Sequence, residues 1–408
     1  MLRPTLADIG RIVAVSVLLS AVLIASPTRV LAQAEMVLYS FGSSSVSDGM
    51  YPIGNLVVDG KGNVYGTTSQ AMPFARFGTV FEVSPIGTEK ILYEFGSQPG
   101  DGGQPKGGLV RDSKGNLYGT TSDPGTLFEM VKSGKNYTEK VLYTFANIII
   151  DGAYPTGELV RDKEGNFYGT TYGGGSNSCS CGTVFKLGSD GTLTTLHTFS
   201  GNLDGANPYG GVVRDSKGNL YGATLYGGNP ESCDYQGCGT IFEITAEGEE
   251  KILYVFTGFA DGSIPYSSLL RDAKGNLYGT TWSGGYFGEE TGCFTESCGT
   301  VFELTKKGAL VALHAFTGYP GDGGNSYAGL VMDKQDNLYG TTYDGGAYDG
   351  GAVFEVTPTG VEKVLHSFNP PDGVLPQSGL TFDGDGNLYG TTFQGGTLGY
   401  GTVFKLVP

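Results

Sequence analysis

The stretch GNLYGTT, residues 115–121, decides how this 408-residue chain is read, because the chain writes it seven times. The copies are GNVYGTT (62–68), GNLYGTT (115–121), GNFYGTT (165–171), GNLYGAT (218–224), GNLYGTT (275–281), DNLYGTT (336–342) and GNLYGTT (386–392). Their tyrosines, at 65, 118, 168, 221, 278, 339 and 389, stand 50 to 61 residues apart. A step of that size marks a chain built from tandem structural units.

Working outward from the motif, one unit holds four short runs: GLVRD (108–112), NLYGTT (116–121), TLFEM (126–130) and KVLYTF (140–145), here a, b, c and d. Runs rich in β-branched and aromatic residues, bounded by Gly, Asn, Asp and Ser, read as strands. The a–b turn is Asp-x-x-Gly-Asn in six units, and in the seventh Asp336 replaces the Gly, keeping a residue that tolerates positive φ. Four antiparallel strands repeated seven times predict an all-β, seven-bladed β-propeller.

The chain ends favour a closed ring over a solenoid. The last unit has a, b and c but reaches Pro408 without d, while MVLYSF (36–41) matches the d runs KILYEF (90–95) and KVLHSF (363–368). The N-terminal strand is expected to complete the last blade, one strand from the N-terminus and three from the C-terminus, leaving no edge exposed.

Upstream of that strand, Arg3 and Arg11 accompany an apolar run at 12–25, and Ala32-Gln33-Ala34 has a small-x-small cleavage pattern. Residues 1–34 therefore read as a secretory signal peptide cleaved after Ala34, and 35–408 as one secreted or periplasmic propeller, a monomer. The apolar run is shorter than the ~20 residues a bilayer requires, so no transmembrane segment is expected. The net charge of −16 becomes more negative on cleavage, which disfavours nucleic acid as a partner.

The pattern DG-x-x-P, GLV-x-D-x-x-GN-LYGTT, GTVFEL resembles the GloVer tandem-repeat family of exported bacterial proteins across 36–408. Ala223, Ser326 and Asp336 depart from it. The resemblance implies an extracytoplasmic repeat protein and no particular reaction.

In such blades the d–a and b–c connections share one face. The b–c loops range from SDPG (122–125) to WSGGYFGEETGCFTESCG (282–299), and variable loops on a repeated scaffold are where binding concentrates. This face carries fifteen acids against Arg76 and Lys106, which suits cations or cationic partners.

Seven of those acids, Asp48, Asp101, Asp151, Asp204, Asp261, Asp322 and Asp372, recur once per unit. They could form a carboxylate ring holding Ca²⁺, or each could cap its own turn. Recurrence in every blade favours capping, since a specific site breaks the symmetry. Tyr172, Trp282, Tyr343 and Phe393 share the slot after the Thr-Thr pair, where packing competes with ligand stacking. The least repeat-like group is Tyr286, Phe287, Glu289, Glu290, Phe294 and Glu296, which with Trp282 forms the candidate binding loop of blade 5.

The six cysteines fall as Cys179/Cys181, Cys233/Cys238 and Cys293/Cys298, each pair inside one b–c loop. In an exported chain they read as local disulfides, against the alternative of a thiolate metal cluster. His197, His314 and His366 occupy Tyr slots of d strands, so the variable face offers no His for a triad or a His-metal site. The favoured function is a non-enzymatic module binding an extracellular carbohydrate, cation or protein. The alternative is a carbohydrate-active enzyme, a glycoside hydrolase or lyase, using paired carboxylates.

Overall fold

Each sheet follows from the four runs of the repeat. In blade 4 strand a is Val213–Arg214, b Leu220–Thr224, c Thr240–Ile244 and d Glu250–Val255, paired antiparallel in that order. The structure, a computed structural model, describes residues 35–42, 48–71, 77–229, 231–233, 236–285, 293 and 297–408. Within them seven such sheets form a seven-bladed β-propeller without helices. Blades 1 to 7 begin at Val57, Val110, Val160, Val213, Leu270, Val331 and Thr381.

Ring closure is as expected. The strand Glu35–Ser40 pairs antiparallel with Thr402–Leu406, with Glu35 opposite Leu406 and Ser40 opposite Thr402, so the outer strand of blade 7 comes from the N-terminus. The seam between blades 7 and 1 is packed like the others: Phe41, Tyr389 and Val403 of blade 7 meet Leu56, Val64, Phe81 and Val83 of blade 1. Residues 1–34, the expected signal peptide, lie outside the described residues.

The motif is explained residue by residue. In the blade 4 turn, Asp215 accepts the backbone N–H groups of Lys217 and Asn219, the Asn219 side-chain amide and the Tyr221 hydroxyl. Burial pushes the Asp215 carboxyl up, but these hydrogen bonds outweigh it and hold the group below its ordinary range. The motif glycine faces the strand c phenylalanine; a Cβ on Gly222 would stand 2.5 Å from Phe242 Cζ. In blades 3, 5 and 6 the first Thr reaches the next blade, as Thr170 Oγ1 does to Gly210 O at 2.8 Å. The second clips strand c, as Thr224 does to Thr240 at 2.9 Å. Strand a of the following blade then lays Arg271 over the Tyr221 ring at 5.3 Å.

Sidedness is fixed by bridges between the connections. The d–a link pairs antiparallel with the next b–c loop at Ala153/Gly173, Ala206/Tyr226, Ser263/Ser283 and Val374/Gln394. Both connection types therefore share one face. The residue before each Pro or its Ser326 replacement has positive φ, from 51° at Gln104 and Asn325 to 59° at Tyr51. At this bend the link turns inward to strand a, and the backbone N–H of Asn207 and Ile264 reaches Cys181 O and Cys238 O of the preceding blade. The three disulfides are local: Cys179–Cys181, Cys233–Cys238 and Cys293–Cys298.

At the outer rim, carboxyls meet between blades. Glu362, opening strand d of blade 6, approaches His314 and Asp322 of blade 5, and Glu35 approaches His366 and Asp372. Burial, reinforced by the neighbouring aspartate, raises Glu35, Glu89, Glu139 and Glu362 to about 7, and Glu250 rises for the same reasons.

Candidate functional site

The innermost strands enclose a narrow channel. Residues two apart in the segment leading into each strand a line it in two tiers below the loop-bearing mouth. The upper tier is Ile53, Lys106, Thr156, Tyr209, Tyr266, Tyr327 and Gln377; the lower tier is Asn55, Gly108, Glu158, Gly211, Ser268, Gly329 and Gly379. Between these tiers the strands approach backbone to backbone: a Cβ on Gly107 would stand 2.7 Å from Gly157 O. The void left along the axis is about 60 Å³.

Seven-fold symmetry breaks at this mouth. Tyr209, Tyr266 and Tyr327 project from blades 4, 5 and 6, and Tyr172, Tyr226, Trp282 and Tyr343 rise behind them from the starts of b–c loops. Six of these rings, all but Tyr226, are continuous: Tyr172–Tyr209 at 6.1 Å, Tyr209–Tyr266 at 5.3 Å, Tyr266–Tyr327 at 4.7 Å and Trp282–Tyr327 at 4.3 Å between centroids. Tyr343 closes the arc 5.2 Å from Tyr327. All seven are half-buried, with part of each side chain facing solvent. Burial first, then Tyr343 and other neighbours including Asp344, push the Tyr327 hydroxyl to about 12, so it is a neutral donor and acceptor at physiological pH. Across the channel the same slots hold Ile53, Lys106 and Gln377, and a separate small group joins Tyr51 to Phe393 at 4.9 Å.

Below the arc lies Glu158. Its carboxyl borders the channel void, yet protein surrounds it closely enough that burial alone raises it to about 7. Gly108 provides its room, since a Cβ there would meet Glu158 Oε1 at 2.9 Å.

The seven aspartates of the d–a links stand elsewhere. Each bonds to its own loop and to the outermost strand: Asp101 accepts from Tyr93 Oη at 2.7 Å and Gly96 N at 3.1 Å, and Asp261 accepts from Tyr254 Oη at 2.9 Å and Thr257 N at 2.8 Å. Asp48, Asp151 and Asp204 accept the N–H of Gly42, Asn147 and Ser200, and Asp322 and Asp372 pair with His314 and His366 at 3.1 Å. They lie at the outer rim. Among the described residues, the two groups of three potential metal ligands contain one of these aspartates each, Asp322 and Asp372. Of the blade 5 loop, Trp282 is in the arc, whereas Tyr286, Phe287, Glu289, Glu290, Phe294 and Glu296 lie outside the described residues.

Sequence reading singled out Tyr172, Trp282 and Tyr343 but missed Tyr209, Tyr266, Tyr327 and Glu158. The available signal was a departure within strand a: Tyr after Pro208 and Pro265 where other units have Ile53 or Thr156, and Glu158 in a slot that is Gly in four units.

No helix among the described residues is long and apolar enough to cross a membrane. No curated protein is significantly similar in sequence. Among solved structures, virginiamycin B lyase from Staphylococcus aureus has a TM-score of 0.58 at 13% identity, over 92% of this chain and 99% of its own. A B. thetaiotaomicron protein, BT4673, named as the extracellular domain of a one-component system, has a TM-score of 0.53 at 10% identity, over 91% of this chain and 40% of its own. At these identities the likeness concerns the fold alone. The model of the Gloeobacter/Verrucomicrobia repeat matches residues 121–295 and 290–408, more than two thirds of the sequence, and the chain belongs to that repeat family.

Proposed function

We propose that this propeller is an exported carbohydrate-binding module whose site is the aromatic arc at the channel mouth. The observation that carries the reading is the break in symmetry: one channel slot holds Tyr209, Tyr266 and Tyr327 in blades 4 to 6 and Ile53, Lys106, Thr156 and Gln377 in the others, and Tyr172, Trp282 and Tyr343 pack beside the three tyrosines. Half-exposed rings stack on the C–H faces of sugars, while tyrosine hydroxyls exchange hydrogen bonds with sugar hydroxyls. Export through the 1–34 leader belongs to the same reading, and three disulfides suit an oxidising compartment.

A glycan array probed with the folded chain and with Trp282→Ala tests this directly. Binding to one glycan class, lost in the variant, is expected; an array that stays blank, or a profile unchanged in the variant, overturns the reading.

A carbohydrate-active enzyme is the second reading, favoured by one observation. A carboxyl raised to about 7 is poised as a proton donor near neutral pH, and Glu158 is such a group. Reducing sugar released from a bound glycan, and abolished in Glu158→Gln, would support it.

A further inference from the structure

We propose that the glycan held by the arc is an amino sugar, whose ammonium group enters the channel void and pairs with Glu158. This rests on the carbohydrate reading for the sugar and on Glu158 for the charge.

A carboxylate enclosed by protein is costly unless an opposite charge or hydrogen-bond donors meet it. Among the described residues no side chain bonds to the Glu158 carboxyl, and burial is what raises its pKa. Lys106 borders the same void from blade 2 but does not offset that shift. The other lower-tier oxygens are engaged: Asn55 Oδ1 accepts from Gly379 N, and Ser268 Oγ accepts from Gly211 N at 2.9 Å. The carboxyl therefore faces the channel without a partner.

What can reach it is limited by size and by the walls. The channel is narrow between its tiers, where a Cβ on Gly107 would stand 2.7 Å from Gly157 O, and the void of about 60 Å³ beside Glu158 has room for a small polar group. An ammonium fits; a ring would remain above, against Tyr209, Tyr266 and Tyr327. Aromatic walls also favour a cation electrostatically, and the chain's net charge of −16 attracts cationic glycans and repels acidic ones. An N-acetylated sugar has lost that charge and gained bulk at the same nitrogen.

The test is calorimetric titration at pH 7 with the glucosamine trimer, the N-acetylglucosamine trimer, n-propylammonium chloride and calcium chloride, on the wild-type chain and on Glu158→Gln. The near-isosteric variant should keep its melting temperature. We expect the glucosamine trimer to bind at least tenfold more tightly than its acetylated counterpart, and that preference to vanish in Glu158→Gln. Propylammonium binding should be weak, Glu158-dependent and stronger as pH rises from 5 to 8, because ionised Glu158 is the binding form while the amine stays protonated.

The two claims fail separately. If neither trimer binds but propylammonium binding depends on Glu158, the carbohydrate reading fails and the ammonium site stands. Equal affinity for both trimers, a preference that survives Glu158→Gln, or Glu158-dependent binding of calcium alone overturns the inference.

Discussion

The a–b turns and the channel mouth lie at opposite ends of strand a, and the chain treats them oppositely. In the turns the same aspartate, asparagine and tyrosine return blade after blade, making the same bonds: Asp59, Asp112, Asp162 and Asp215 all accept from the Asn four residues on and the Tyr six residues on. At the mouth one backbone slot holds Ile53, Lys106, Thr156, Tyr209, Tyr266, Tyr327 and Gln377 in turn. Repetition marks what every blade needs in order to fold. Variation in a slot of fixed geometry marks what the fold is used for.

That contrast can be broken by exchanging the effects. Asp215→Ala removes the acceptor of four hydrogen bonds in a buried turn. It should cost about 3 kcal/mol in urea denaturation and leave glycan affinity within twofold. Removing the Cys233–Cys238 bridge, which closes a short loop, should cost about 2 kcal/mol by loss of loop constraint, read from the same melts. Tyr266→Ala should do the reverse of the turn variant, weakening binding at least tenfold, about 1.4 kcal/mol, with a smaller effect on stability. A turn variant that abolishes binding without unfolding, or a mouth variant that only destabilises, would erase the distinction.

The smallest effect is expected at the outer rim and depends on pH. Folding raises Glu35, Glu89, Glu139 and Glu362 from 4.5 to about 7, so the folded chain holds more protons than the unfolded one between those values. Stability should therefore be intact near pH 4.5 and decline as pH rises through 7. Asp59, Asp162, Asp215, Asp333 and Asp383 are shifted the other way, because their hydrogen bonds overcome the upward push of burial. Their contribution is present above about 3.8 and is lost in stronger acid. Glu362→Gln should flatten the alkaline decline by about 1 kcal/mol after allowance for solvent screening, measured as the difference in unfolding free energy between pH 5 and pH 8.

The ring and its closure could be read from the chain because they rest on local, repeated signals. MVLYSF at 36–41 copies a d strand outright, and the Asp-x-x-Gly-Asn turn depends on side chains within six residues of each other. The mouth was only partly legible. Tyr172, Trp282 and Tyr343 stand out just after the motif, but their meaning depends on Tyr209, Tyr266 and Tyr327, which meet them from positions 16 to 45 residues away in the chain. Nothing local says that these rings converge. Glu158 was missed for a related reason: an acid in a strand reads as a solvent-facing residue until seven strands are seen to enclose it. The recurrent aspartates were legible for the same local reason as the turns: recurrence in every blade favours turn-capping over a metal ring, and Asp101 and Asp261 bond to their own loops and the outermost strands.

One probe sits in the arc by nature. Trp282 is the only tryptophan of the chain, and its ring lies 4.3 Å from Tyr327. Titrating the folded protein with the glycan selected on the array, while following tryptophan emission, asks whether ligand occupies the place where the seven-fold pattern breaks. A saturable change in emission, with a midpoint equal to the calorimetric dissociation constant and abolished in Tyr266→Ala, is the predicted result. Saturating binding by calorimetry with unaltered Trp282 emission would put the ligand elsewhere and contradict the account.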